Sequence, residues 1–385
     1  LRAPNAEHRM NTLPPVRINR ESYLKLEQTT RDTLAACRHE AQDGTPLYFP
    51  DGSGHYPALW TRDFCYMAEG AAQLMAADDI LAGIDYLLAA QREDGYIPDR
   101  VQADGLAVFF PGPVDKPIGS LPPVDNQPFM AKLICAYAAR SKDYRRARER
   151  MDHVYAAMDA VPREADGLVA VDRNNSWVDY GFTDCIRKTG KTLMGSLLYW
   201  EACQLVAETY QKWEHHDDAR DWFERAEHAG HRLFEFWDDD QGMFRAAMGD
   251  NRIVDIWGSA YAAVLRVSSK TQTERIAYYL MRHKGEILLN GYVRHLPGGE
   301  YWHKLFVDVP RDTYQNGGFW AVPSGWVART IATVDEDYAN KMMEWLIAHF
   351  AEHGACEWIS PDQNVLPQYG ASAACALGSV TPKKG

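Results

Sequence analysis

The chain has 385 residues, 46% hydrophobic and 24% charged, a balance that excludes a disordered or fibrous protein. Its 41 Lys and Arg against 53 Asp and Glu give a net charge of −12, and because no long basic run occurs we expect no nucleic-acid partner. The seven cysteines show no CxxC spacing and long apolar stretches are absent, so we expect a cytoplasmic protein without disulfides or a membrane partner, although a removed signal peptide would leave no trace.

Apolar periodicity, interrupted by Gly, Pro and helix-capping residues, predicts about twelve helices and few strands. The helices are predicted near residues 20–42, 62–76, 79–92, 126–141, 143–160, 189–211, 215–237, 255–267, 271–284, 316–333, 335–353 and 369–380. The connection after each even-numbered helix is short, apart from the last, so each of these helices should lie antiparallel to the odd-numbered helix that follows it. All the long connections must then emerge at one end.

The two sets of helices differ in composition. Odd-numbered helices such as DEDYANKMMEWLIAHF are amphipathic, as surface helices are. Even-numbered helices such as QPFMAKLICAYAA and YGASAACALGSV are apolar on nearly every face, so protein should surround them. This predicts an all-α fold, an (α/α)6 barrel or toroid of six inner and six outer helices. We expect a single domain over residues 1–385, with an N-terminal extension at residues 1–19.

The long loops that lead into the predicted inner helices are rich in carboxylates, amides, basic side chains and aromatic rings. The candidate ligand-binding residues on these loops are Trp60, Arg62, Asp63, Asp125, Gln127, Trp177, Tyr180, Arg187, Lys188, Trp257, Tyr314, Gln315, Asn316, Trp320, Trp358, Gln368 and Tyr369. Polar groups of this kind fix hydroxyls, while aromatic rings cover the apolar face of a sugar. We therefore expect a saccharide or glycoside as the ligand; the sequence leaves the oligomeric state open.

Two loop carboxylates are flanked by aromatic residues. Asp179 lies between Trp177 and Tyr180, and Glu357 directly precedes Trp358. Loss of water raises the pKa of a carboxyl, as a general acid requires. The two residues precede the third and sixth inner helices, which should face each other across a ring of six. Opposed carboxyls separated by about 6.5–9.5 Å hydrolyse glycosides with inversion. The alternatives are a helix cap for Asp179 and a solvated loop charge for Glu357.

Other features have competing interpretations. Arg62 and Asp63 could form an internal salt bridge instead of holding hydroxyls. Asn316 and the two glycines after it resemble a turn more than a phosphate loop, because no GxxxxGK[ST] motif accompanies them. The loop histidines lack a metal-ligand spacing, so no metal and no cofactor is predicted. Four tryptophans within helices are predicted to belong to the core: Trp200, Trp222, Trp326 and Trp345.

Three segments resemble the six-hairpin glycosidase superfamily: WTRDFCYM, SWVDYGFTDCIRKTGKTLMGSLLYWEA and ACEWISPDQNVLPQYGASAACALGSV. They are most similar to the W-G-R-D, T-W-M-D and terminal Glu-containing stretches of the amylo-α-1,6-glucosidase module of glycogen debranching enzymes. The likeness to glucoamylases, trehalases and processing α-glucosidases is looser. The resemblance covers about residues 55–380 and implies the same toroid and an O-glycosyl hydrolase activity.

The resemblance also implies residue roles. Asp179 would be the general acid and Glu357 the general base, while Arg62 and Asp63 would hold sugar hydroxyls. Trp60, Trp177 and Trp358 would form the walls of the sugar subsite. The chain departs from the debranching enzymes at residues 192–195, where Thr-Leu-Met-Gly replaces V-E-I-N. Since no β-domain precedes the helices in this sequence either, we expect a short saccharide or small glycoside as substrate.

Together these features predict an inverting, exo-acting glycosidase for a short α-linked saccharide. A second hypothesis is a polysaccharide lyase, unsaturated uronyl hydrolase or sugar epimerase on the same toroid. Its candidate proton-transfer groups are His295, His303, Tyr301 and Tyr314. A third is a sugar-binding toroid without catalytic activity.

Overall fold

The computed structural model describes residues 12–119, 121–175 and 177–383, so residues 1–11 of the predicted N-terminal extension lie outside the described part. The described residues form thirteen α-helices: α1 Arg20–Cys37, α2 Thr61–Ala71, α3 Ala77–Leu88, α4 Asn126–Ser141, α5 Tyr144–Arg148, α6 Met151–Asp159, α7 Leu193–Lys212, α8 His216–Gly230, α9 Ile256–Val264, α10 Lys270–Ile287, α11 Ser324–Ile331, α12 Glu336–His353 and α13 Gly370–Gly378. Each of the twelve predicted segments contains helix, and the fifth is divided into α5 and α6.

Six of these helices form an inner ring. The helices α2, α4, α7, α9, α11 and α13 contact one another in this order, and α13 contacts α2. Every residue of α9 is buried, in agreement with its apolar sequence. The outer helices α8, α10 and α12 contact α7, α9 and α11, each the inner helix that precedes it in the chain. The predicted helical ring with an outer helical layer is therefore present.

The strictly all-α description does not hold, because the long loops pair into short strands. The strands are β1 Val16–Ile18, β2 Arg38–Glu40, β3 Pro46–Tyr48, β4 Ala58–Trp60, β5 Arg100–Gln102, β6 Ala107–Val108, β7 Ala170–Val171, β8 Gly190–Lys191, β9 Trp237–Asp238, β10 Met243–Phe244, β11 Leu288–Leu289, β12 Tyr292–Arg294, β13 Phe319–Trp320, β14 Trp358–Ser360, β15 Gln363–Val365 and β16 Val380–Pro382. Each has at most three residues, too few for a periodic signal in the sequence.

The largest sheet has the order β11-β12-β13-β14-β15, with every neighbouring pair antiparallel. Its register places Trp320 opposite Trp358, which joins the loop before α11 to the loop before α13. A second sheet, β4-β5-β6, leads directly into α2. The parallel pair β1 and β16 brings residues 16–18 beside residues 380–382. Among the described residues, every helix is too short or too polar to cross a membrane.

Two predictions about helices are corrected by the structure. The tenth predicted helix begins at Ser324, not near residue 316, because Gly317 has φ +124°, which a helix cannot contain, and residues 319–320 form a strand. Trp345 was expected in the core but is 46% exposed on the outer face of α12. The core face of that helix instead carries Met342 and Leu346, which are fully buried.

Candidate active site

The two carboxylates singled out in the sequence are both buried. Asp179 lies on the loop between β7 and β8 and is 1% exposed, while Glu357 directly precedes β14 and is 3% exposed. Burial contradicts the alternative in which Glu357 is a solvated loop charge. The Asp179 carboxylate faces Lys188, so the helix-cap alternative for that residue is not supported either.

Burial and an ion pair with Lys188 have opposite effects on the pKa of Asp179. The Lys188 Nζ lies 3.2 Å from its Oδ1 and 3.4 Å from its Oδ2, and it also donates to the Thr183 hydroxyl at 2.9 Å. Burial raises the pKa of Asp179 to about 6, the Lys188 ammonium opposes this rise, and the carboxylates of Asp125 and Asp255 add to it. This carboxyl therefore changes protonation state close to neutrality.

Glu357 lies among other acidic groups. The Tyr56 hydroxyl donates to its Oε1 at 3.3 Å. Burial raises the pKa of Glu357 well above its ordinary value, and the nearby carboxylates of Asp63 and Asp184 raise it further, whereas the Tyr56 hydrogen bond lowers it. Glu357 therefore holds a proton more readily than a glutamate in water.

Asp63 connects the first inner helix with the last. The hydroxyl of Tyr369, the residue before α13, donates to Asp63 Oδ1 at 2.5 Å. Burial raises the pKa of Asp63 to about 7, against the opposing charge of Arg62. These contacts bring the predicted residues of the first and sixth loops together around Glu357.

Arg62 does form an internal ion pair, but Asp63 is not the hydrogen-bonded partner. Its Nε donates to Asp125 Oδ2 at 3.1 Å, and its Nη2 donates to Asp99 Oδ1 at 2.6 Å. The side chain of Arg62 is 3% exposed and those of both aspartates are 0% exposed. These bonds leave the guanidinium occupied by protein carboxylates.

Several buried polar atoms at the starts of α2, α4 and α9 have no hydrogen-bond partner among the described residues. They are Trp60 Nε1, Asp125 Oδ1, Asn126 Nδ2, Gln127 Oε1 and Nε2, Trp257 Nε1 and, on the neighbouring strand end, His295 Nδ1. Buried polar groups are nearly always hydrogen-bonded in native proteins. A concentration of such exceptions at one end of the ring is the arrangement that a ligand rich in hydroxyls would satisfy.

Aromatic rings accompany these polar atoms. Trp257 stacks on His295 with 3.2 Å between ring centroids, and His295 in turn lies edge-on to Trp302. Burial and the nearby Lys188 lower the pKa of His295 well below its ordinary value. The predicted wall residue Trp60 is covered by the guanidinium of Arg100 at 4.5 Å from its ring centroid.

Other predicted ligand-binding residues already have protein partners. Gln315 donates to Asp184 and accepts from the Cys185 amide, and Asn316 bonds to the backbone of residues 302 and 309. The Tyr180 hydroxyl is fully buried at 2.9 Å from the Tyr66 hydroxyl. Because their polar atoms hold loops together, we do not assign these three residues to the ligand.

The remaining predicted residues differ in position. Arg187 is one-third exposed and pairs with Asp250 at 3.4 Å. Gln368 is exposed, and Trp177 is half-buried against Tyr96. Trp320 and Trp358 are buried beside Tyr314, whose ring contacts both.

Three residues of this region were not predicted from the sequence. Tyr56 donates to Glu357, and Asp51 fixes the loop of Tyr56 by accepting from its amide at 2.9 Å. Asp184 is half-buried, and burial raises its pKa to about 6. Asp184 lies only five residues after Asp179 in the same polar and aromatic segment, which was the available signal; nothing in the local sequence distinguishes Asp51.

No protein-family profile matches the sequence. One curated relative, the glucosylglycerate hydrolase of Mycolicibacterium hassiacum, is 37% identical over 73 residues, which cover 19% of this chain and 16% of that protein. The solved GH63 mannosylglycerate hydrolase from Thermus thermophilus is similar over 92% of this chain and 99% of its own, with a TM-score of 0.68 and 16% identity. A rhamnosidase from Klebsiella oxytoca, solved with rhamnose bound, covers 95% of this chain over 65% of its own, with a TM-score of 0.66 and 15% identity.

The structural similarities extend over nearly the whole chain and show its fold. The chain has the helical-toroid fold of the six-hairpin glycosidases, so the resemblance predicted from the sequence is confirmed at the level of fold. The narrower likeness to the amylo-α-1,6-glucosidase module stays a prediction.

Proposed function

We propose that this protein is a glycoside hydrolase that cleaves a short α-linked saccharide or small glycoside with inversion, in an (α/α)6 barrel whose loops carry small sheets. The observation that carries the proposal is the pair of buried carboxyls, Asp179 and Glu357, each with a raised pKa, at the end of the ring where unpaired buried polar atoms collect. The glycosidases of the same fold support the reaction class.

In this mechanism Asp179 is the general acid and Glu357 the general base. Asp179 donates its proton to the glycosidic oxygen as the bond to the anomeric carbon breaks, while Glu357 takes a proton from the attacking water. The pKa of Asp179, about 6, suits a group that must be protonated near neutrality. The base must be ionised when the substrate is bound, so the substrate must change the environment in which burial now favours protonated Glu357.

The charge of the site favours a neutral sugar over an acidic one. Its buried or half-buried carboxyls are Asp63, Asp125, Asp179, Asp184, Asp255 and Glu357, whereas Lys188 and Arg62 are already paired with carboxylates. A uronic acid in this place would add a further negative charge, which Coulomb repulsion disfavours. This supports the glycosidase over the lyase and uronyl hydrolase alternatives, and Tyr301, one of their candidate groups, already donates to Asp312.

The named relatives suggest which substrates to test first. Hydrolases of glucosylglycerate and mannosylglycerate act on a hexose joined to a small acid, according to their names. We infer that this protein takes a hexose joined to a similarly small aglycone. A panel of α-glucosides, α-mannosides and α-rhamnosides, each with glycerate and with glycerol as aglycone, separates the sugar preference from any preference for a charged aglycone.

The proposal is tested by the isosteric variants Asp179→Asn and Glu357→Gln. We expect each to lower kcat by at least about 100-fold, because each removes a proton-transfer group. Proton NMR during turnover should show the released sugar first as the anomer opposite to that of the substrate.

The matched control is Asp308→Asn, which alters an exposed carboxylate on a neighbouring loop and should leave kcat unchanged. Near-wild-type turnover by either active-site variant would refute the role given to that residue. Absence of any cleavage across the panel would refute the hydrolase, and saccharide binding without turnover would support the non-catalytic alternative.

A further inference from the structure

The loop that carries Asp179 is held on both sides by the residues just before α4. On one side the Val124 amide donates to the Val178 carbonyl at 2.9 Å. On the other side the Gly181 amide donates to Asp125 Oδ2 at 2.7 Å. Asp179 is thus fixed between two hydrogen bonds that end one residue before it and two residues after it.

Asp125 is itself held by Arg62 from the first turn of α2. The Arg62 Nε donates to the same Asp125 oxygen that accepts from Gly181. The Arg62 Nη2 bonds to Asp99, whose other oxygen accepts from Arg100 at 3.1 Å. Charge-assisted bonds between fully buried groups are strong and directional, so Asp125 has little freedom to rotate away from Gly181.

Glycine at position 181 is required by this arrangement. A Cβ placed there would overlap the guanidinium of Arg62, which lies directly against the backbone. The φ angle of Gly181 is not in the positive range that disfavours other residues, so close approach is the reason for glycine at this position. Arg62, Asp125 and Gly181 therefore form one contact, which we call the loop clamp.

We infer that Arg62 and Asp125 are positioning residues that hold the general acid Asp179 through the loop clamp, Asp125 through its Oδ2, and that Arg62 is not a sugar ligand as the family resemblance implied. The inference rests on the proposed function. A small displacement of the Asp179 carboxyl would direct its proton away from the glycosidic oxygen. Displacements of about 1 Å can cost about 100-fold in rate. The first turn of α2 would then act on both catalytic carboxyls, on Asp179 through Arg62 and on Glu357 through the charge of Asp63.

The leaving group of the substrate provides the test. An alkyl glycoside needs protonation of its leaving oxygen, whereas a 2,4-dinitrophenyl glycoside of the same sugar needs little. Asp179→Asn defines the pattern expected when the acid is lost: a large fall in kcat for the alkyl glycoside and a small one for the dinitrophenyl glycoside. We expect Arg62→Gln and Gly181→Ala to reproduce this pattern, with kcat for the alkyl glycoside lowered by about 100-fold and KM changed by less than about threefold.

Two further variants give the test its controls. Gly285→Ala adds a methyl group on α10 where no atom lies within 4 Å, and it should leave both substrates unaffected. In the double variant that combines Arg62→Gln with Gly181→Ala, kcat for the alkyl glycoside should be little lower than in Arg62→Gln alone. The guanidinium that an alanine side chain would overlap is then already gone. Circular dichroism and thermal unfolding identify variants that fold, and if Arg62→Gln does not, the single variant Gly181→Ala decides the outcome.

The possible results separate this inference from the proposed function. A wild-type protein that cleaves neither glycoside overturns the proposed function, and the inference with it. If the wild type is active, three results for the clamp variants overturn the positioning role alone. These are an equal fall in kcat for the two glycosides, a higher KM for both, and no change in either.

Discussion

Lys188 sets how readily Asp179 gives up its proton. The ammonium lies 3.2 Å from the carboxylate and lowers its pKa against burial and against the charges of Asp125 and Asp255. In Lys188→Met the pKa of Asp179 should therefore rise, because the opposing positive charge is gone. If Asp179 is the acid, the alkaline limb of the kcat/KM profile should move to higher pH, because the carboxyl then keeps the required proton up to a higher pH.

The same measurement discriminates between the two catalytic roles. If Asp179 were the base, Lys188→Met would move the acidic limb upward instead. Lys188→Arg keeps the positive charge and should leave both limbs near their wild-type positions. A Lys188→Met profile identical to the wild-type profile would show that Asp179 does not control the pH dependence.

At the residue scale, the sequence predicted burial better than it predicted partners. Aromatic neighbours correctly marked Asp179 and Glu357 as buried. A direct salt bridge between Arg62 and Asp63, one of the two alternatives, does not form because successive residues of a helix project in different directions. Arg62 instead reaches Asp99 and Asp125, which lie 37 and 63 positions further along the chain. No local pattern indicates contacts at such separations.

At the scale of elements, one ionic network around the buried Lys132 links four inner helices. Lys132 of α4 lies 2.6 Å from Glu201 of α7 and 3.3 Å from Glu69 of α2, and it donates to the Tyr261 hydroxyl of α9 at 3.0 Å. Lys132→Met would leave Glu201, which is 9% exposed, without its cation. We expect the free energy of unfolding to fall by about 3–5 kcal/mol, measured by urea denaturation, because a buried charge would lose its partner.

An exposed lysine serves as the control for this network. Lys25→Met removes the surface pair between Lys25 and Glu21 within α1, and the free energy of unfolding should change far less than in Lys132→Met, because solvent screens an exposed pair. Lys132→Met and Lys25→Met changing stability equally would mean that the network contributes nothing beyond a surface pair.

The helices themselves were the most predictable elements. All twelve predicted segments contain helix, because their apolar periodicity extends over several turns. The fifth segment is broken after Arg148, and the start of the tenth was set too early through the turn at Gly317. Trp345 was misassigned although the full set of buried apolar positions, Met342, Met343, Leu346, Ile347 and Phe350, already places residue 345 away from the core face of α12.

At the scale of the whole molecule, closure of the ring followed from the sequence but its sheets did not. Alternating short and long connections require paired helices with their long loops at one end, and the six inner helices close between α13 and α2. The strands pair across separations that the sequence does not encode locally, as when residues 16–18 meet residues 380–382. The loop geometry that brings residues around Glu357 depends on this pairing, so individual site contacts could not be predicted.

The buried carboxyls should make stability depend on pH in an unusual direction. Burial raises the pKa of Asp63 to about 7 and that of Asp179 and Asp184 to about 6, whereas unfolded carboxyls titrate near about 4. Between about pH 4 and pH 7 the folded state thus binds more protons than the unfolded state, and the contribution of these groups to stability falls as pH rises. Urea denaturation at each pH measures this slope. Asp63→Asn should flatten it while Asp308→Asn should not, and an unchanged slope in Asp63→Asn would contradict the assignment of Asp63 to this group.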